Sequence, residues 1–141
     1  MTDDASRQGL LGGAPRQGLL GGGSSYELAE VSAAEHDGTM VVTVSGEVDI
    51  SNVDRVAEVI FAQPNTGDGL IVDLSQVRYL DSTAISLLHD LALRLRQRAQ
   101  RLVVVSPADS PPRRVLELTA LSTNAPLVED LESALSLVGD A

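Results

Sequence analysis

The 141-residue chain predicts an α/β fold, a mixed β-sheet with helices packed against it, on two observations. Short apolar runs of buried-strand type, Leu70-Ile71-Val72-Asp73-Leu74 above all, alternate with stretches in which apolar residues recur at helical spacing. Ile85, Leu88, Ala92, Leu95 and Ala99 are the clearest of these. The order along the chain reads β-β-α-β-α-β-α-β-α, and each strand–helix–strand unit is expected to cross over right-handed.

Residues 1–25 read as a flexible glycine-rich tail, and 26–141 as the folded domain. Within the tail Arg7-Gln8-Gly9-Leu10-Leu11-Gly12-Gly13 recurs unchanged as Arg16-Gln17-Gly18-Leu19-Leu20-Gly21-Gly22. Glycine at this density makes backbone ordering entropically costly, and two copies are too few for a stacked repeat. The segment reads as an extension or as a short docking peptide offering its Leu-Leu pairs.

The domain opens with strands over about Tyr26–Ala33 and Thr39–Ser45, joined by His36-Asp37-Gly38, where Asp-Gly signals a hairpin. Gly46-Glu47-Val48-Asp49-Ile50-Ser51 leads into a helix over about Asn52–Ala62, with Ser51 and Asp54 spaced as a shortened capping box and Pro64 closing it. After the loop Asn65–Gly69 come the strand Leu70–Leu74, a turn at Ser75-Gln76, and a helix from Ser82 to about Gln100. Its polar face carries Asp90, Arg94, Gln97 and Arg101, with Asp90 and Arg94 spaced as an i,i+4 pair. Leu102–Ser106 is a buried strand, and Ser110-Pro111-Pro112 announces a helix to about Leu121, since proline is tolerated in a first turn. A short strand at Ala125–Val128 and a helix over about Glu129–Val138, with Gly139 as C-cap, complete the reading.

Composition excludes several functions. The absence of cysteine removes disulfides, thiolate metal sites and thiol catalysis. A formal net charge of −10 opposes general nucleic-acid binding, and two tyrosines, one phenylalanine and no tryptophan give few platforms for stacking bases. All ten positive residues are arginines, six of them between Arg94 and Arg114, a cluster suited to a solvated helix face or an acidic partner. Apolar runs fall far short of the roughly 20 residues a membrane span requires, and Asp3 and Asp4 stand where a leader would be basic. A soluble, cytoplasmic protein is expected.

The ingredients of catalysis are sparse. There is no Gly-x-Ser-x-Gly elbow, no phosphate-cradling loop ending in Lys and no metal-spaced His pair, so neither an enzyme nor a cofactor is expected. His89 follows Ser82 by seven residues, about 10 Å along one helix, too far for a nucleophile–base hydrogen bond. The sequence offers instead Asp81-Ser82-Thr83 at a helix mouth, where unpaired amides and the helix dipole favour anions. Asp81 or Ser82 serves there as an N-cap, or Ser82 accepts a phosphoryl group. Glu47 and Asp49 read as turn and cap residues or as a surface acidic pair.

Four motifs in order, Gly46-Glu47-Val48-Asp49, Leu74 to Ala84, Val103-Val104-Val105-Ser106-Pro107 and Arg114 to Leu121, resemble the STAS-domain anti-sigma factor antagonists over about Tyr26–Val138. The resemblance implies a STAS-like sheet and a non-enzymatic regulator. It binds an anti-sigma factor with serine kinase activity when unphosphorylated, frees a sigma factor, and is reset by a PP2C-type phosphatase. Carried over by match, Ser82 is the phosphoacceptor, and Asp49, Asp81, Thr83 and Ala84 belong to the partner-binding surface. Ala84 stands where the family carries glycine, which bears on partner fit and kinase recognition. The alternative within the resemblance is a constitutive STAS scaffold or transporter-associated subunit without a phosphorylation switch.

Overall fold

A computed structural model describes residues 29–64, 67–119 and 121–139. The duplicated tail, the boundary at residue 25 and the expected start of the first strand at Tyr26 lie outside the described residues. Among the described residues five strands form one sheet in the order β1-β2-β3-β4-β5: Ala29–His36, Thr39–Val48, Gly69–Leu80, Arg101–Val105 and Leu127–Val128. The first pair is antiparallel and every later pair parallel. Helices α1 (Val53–Phe61), α2 (Ser82–Gln97), α3 (Pro111–Glu117), α4 (Leu121–Asn124) and α5 (Leu131–Gly139) connect and cover them.

The alternation of side chains along each strand divides the core in two. Val42, Val44, Leu70, Val72, Leu102 and Val104 face one way and are buried under Val56 and Ile60 of α1, Leu88, Leu91 and Leu95 of α2, and Leu116 and Leu121. Val41, Ile71, Val103 and Val105 face the other way and meet Ala134 and Val138 of α5. Strands buried on both faces read as unbroken apolar runs, which is why the third and fourth were visible from composition alone.

The hairpin forms as the Asp-Gly signal required, with Asp37 at φ 52° and Gly38 at φ 85°, the two positive values of a type I′ turn. Elsewhere local signals gave way. The turn expected at Ser75-Gln76 does not end its strand: β3 runs 12 residues from Gly69 to Leu80. Its register against β2 slips twice, Thr43 pairing with Asp73 but Ser45 with Gln76, and Gly46 with Val77 but Glu47 with Tyr79. Each slip places one extra residue in β3, so the turn-like residues are absorbed as bulges. The Asp73 carboxylate accepts the Ser75 amide at 2.9 Å within the first of them.

The capping box expected from Ser51 and Asp54 is not built. Asn52 occupies the N-cap of α1 without a side-chain cap bond, and Ser51 turns back to Asp49. Arg94 lies over the Phe61 ring, 4.6 Å from its centroid, instead of pairing with Asp90. The helix expected over Pro111–Leu121 is two, because the Thr119 hydroxyl donates to Leu116 O and accepts the Leu121 amide, turning the chain between them. The last strand is trimmed to Leu127–Val128, and Gly139 ends α5 from inside it.

Helix α2 stops at Gln97, three residues before its expected end, and Arg101 opens β4 instead of continuing the polar face. The Gln100 amide closes onto Leu95 O at 2.8 Å, with Ala99 left-handed at φ 59°. Glycine is the residue such a helix end favours, because a Cβ crowds the carbonyl in that conformation. Ala99 is exposed. Ala99→Gly is therefore expected to raise unfolding free energy by about 1 kcal/mol, measured by urea titration; a loss would show that the methyl carries more than strain.

Candidate functional site

Parallel strands deliver their carboxyl ends to one edge of a sheet, and β2 and β3 do so here. The loop after Val48 and the junction after Leu80 therefore emerge side by side, although about thirty residues separate them in sequence. The Asp81 amide donates to Val48 O at 3.1 Å and ties the two together.

Asp81 is the hub. As N-cap of α2, extended at φ −99° and ψ −176°, it accepts through Oδ1 the Thr83 amide at 3.0 Å, the Ala84 amide at 3.1 Å and the Thr83 hydroxyl at 2.5 Å. Its second oxygen, Oδ2, accepts the Ile50 amide at 3.0 Å from across the site. One carboxylate thus caps the helix and holds the neighbouring loop.

Partial desolvation pushes the Asp81 carboxyl up, while the Thr83 hydroxyl and the Ala84, Ile50 and Thr83 amides pull it down. The hydrogen bonds prevail and hold it below the ordinary carboxylate value. A carboxyl depressed in the folded state stabilises the fold above the unfolded carboxylate range, and that contribution is lost as pH falls through the folded pKa. The stability gap between wild type and Asp81→Ala is expected to be about 1 kcal/mol near neutrality. Denaturant titrations should find it narrowing below about pH 4; a gap constant down to pH 2 would mean that the ionised form is not what caps the helix.

The loop has its own internal frame. Asp49 Oδ1 accepts the Ser51 amide at 2.9 Å and the Ser51 hydroxyl at 2.5 Å. Asn52, only 2% exposed, donates to Glu47 O at 2.9 Å and accepts the Asp49 amide at 3.1 Å, fixing the loop from beneath. Nothing in the local sequence distinguishes Asn52 from an ordinary cap; its role appears only when its burial is known.

Ser82 is the first residue of α2 and is exposed, with Thr83 half-buried beside it. Asp49 is half-buried on the adjoining loop. Ala84 behaves differently: it is 2% exposed, packed in the core with Val48, Leu80 and Leu88. Its amide serves the cap while its methyl points inward, so the alanine in place of glycine adds nothing to the surface. Ile50 of the Gly46–Ser51 loop and Tyr79 near the end of β3 also stand exposed on the rim of this edge. Ile50 is 75% exposed and Tyr79 51% exposed, and Tyr79 pairs in register with Glu47, which is 3.6 Å from Arg78. The alternation of β3 would have buried or exposed Tyr79 according to the bulge before it, which sequence alone does not place.

Among the described residues no group of His, Asp or Glu is arranged to hold a metal ion, and no helix is long and apolar enough to cross a membrane. What the edge presents is a hydroxyl, an ionised cap and two apolar side chains, a surface suited to docking and to modification.

Residues 30–134 match the model of the STAS domain. The anti-sigma-F factor antagonist RsfB of Mycobacterium tuberculosis is 28% identical over 117 residues, covering 80% of this chain and 92% of RsfB. The crystal structure of an anti-sigma factor antagonist from Mycobacterium paratuberculosis superimposes with a TM-score of 0.72 at 31% identity, over 79% of this chain and 95% of that one. The anti-sigma factor antagonist SpoIIAA in its unphosphorylated form shares the fold, with a TM-score of 0.63 at 19% identity, over 79% of this chain and 98% of that one.

Proposed function

This chain belongs to the family of STAS-domain anti-sigma factor antagonists, and on that premise we propose that it is a partner switch controlled at Ser82. Antagonism of an anti-sigma factor is the general role of the family. The finer reading is that the unphosphorylated chain binds an anti-sigma factor with serine kinase activity and so frees a sigma factor. Phosphorylation of Ser82 by that partner releases the chain, and a PP2C-type phosphatase restores it.

One observation supports this reading above the others: Ser82 is exposed at the first position of α2, beside a carboxylate already committed to the helix cap. A phosphoryl group there adds about −1.5 to −2 charges at pH 7. The α2 amides and dipole tolerate that charge in the free protein. A closed interface does not, because it strips water from the dianion and places it against the ionised Asp81. The modification is thus compatible with the fold and incompatible with the complex.

The test is incubation of the purified chain with a serine-kinase anti-sigma factor and ATP, followed by peptide mass spectrometry and size-exclusion chromatography. Phosphate on Ser82 and dissociation of the complex are expected. Phosphate on another residue, or a phosphorylated chain that co-elutes undiminished with the partner, overturns the reading.

A further inference from the structure

We infer that Asp81 is a positioning residue for the interface: through its bond to the Ile50 amide it holds Ile50 as an apolar anchor for an anti-sigma factor, an inference that rests on the function proposed above. The bond spans 31 residues of sequence and comes from Oδ2, the oxygen the helix cap does not use. A capping aspartate needs one oxygen, so the second is available for another task, and here it is given to a loop amide. The residue so held is 75% exposed, isoleucine on the rim that also carries Ser82 and Tyr79.

An exposed β-branched side chain is stiff, and a stiff apolar group on a fixed backbone loses little conformational freedom when it enters a pocket. The loop below it is already secured by Asn52, by the Asp49–Ser51 turn and by the backbone bond from the Asp81 amide to Val48 O, so the Asp81 carboxylate adds a side-chain contact that fixes Ile50 itself against the start of α2. The partner surface that fits is an apolar pocket with a neutral margin, facing Ile50 and closing over Ser82.

Asparagine separates the two tasks of Asp81. It equals aspartate as an N-cap, yet carries a single acceptor oxygen, so Asp81→Asn keeps the cap only by giving up the Ile50 amide. Calorimetry of the purified chain with a serine-kinase anti-sigma factor forms a double-mutant cycle of Asp81→Asn, Ile50→Ala and the pair. Ile50→Ala is expected to weaken binding by about tenfold or more, and Asp81→Asn by several-fold with thermal stability close to wild type. The double variant should bind no worse than Ile50→Ala alone, because Asp81 acts through Ile50. Faster hydrogen exchange of the Ile50 amide in Asp81→Asn is the accompanying signature in the free chain. Losses that multiply, or an Asp81→Asn variant that binds as wild type or keeps its Ile50 amide protected, overturn the inference. Failure of the underlying function looks different: the wild-type chain then does not bind, whatever residue 81 is.

Discussion

Ser82→Asp is expected to bind a serine-kinase anti-sigma factor about a hundredfold more weakly than wild type, while Ser82→Ala binds comparably to wild type and accepts no phosphate. The size follows from the position. Like charge brought together in an interface costs several kcal/mol, and about 2.8 kcal/mol is a factor of a hundred. Aspartate carries less charge than a phosphoryl group, so the phosphorylated chain should be weaker still. The fold itself should accept the substitution, since an acid in the first turn of α2 interacts favourably with the helix dipole. Titration calorimetry of the two variants beside a thermal melt separates the effects. Equal affinities for wild type and Ser82→Asp would leave a constitutive binding module in place of a switch.

The second large effect concerns the fold that holds the site. Leu116→Ala is expected to cost about 2–5 kcal/mol, whereas Leu118→Ala, two residues further on, should change stability by no more than about 0.5 kcal/mol. Leu116 is 0% exposed and packed with the strands and α2, while Leu118 caps α3 at 79% exposure. Truncating the first leaves a cavity between α3 and the sheet; truncating the second removes atoms already in water. Urea titrations of both variants measure the difference. Comparable losses would mean that Leu118 is covered in solution, as by a second copy of the chain.

These two leucines also mark where sequence reasoning stops. Both lie in one apolar helical stretch, and nothing local separates them; the sheet beneath α3 does. The same division runs through the site. That a helix opens at Asp81-Ser82 was legible, because both residues are good caps before an apolar repeat; that Asp81 and not Ser82 makes the cap was decided by the structure. That Ala84 turns its methyl to the core was not, since the first turn of a helix has a buried and an exposed side that only its neighbours define. The bulges of β3 were misread as a turn because Ser75-Gln76 carries the residue types of both, and only pairing with β2 distinguishes them.

The chain by itself determined the alternation of strands and helices, the hairpin at Asp37-Gly38 and the helix start at Asp81-Ser82, because each is decided by interactions within a few residues. Tertiary structure alone decided that the Ile50 amide meets Asp81, that Asn52 is buried beneath the loop and that Ile50 and Ser82 emerge at the same sheet edge. The reason is the parallel pairing of β2 with β3, which carries two loops distant in sequence to the same sheet edge. A pairing of that kind is specified by the burial of whole strand faces and not by any residue of the site it creates.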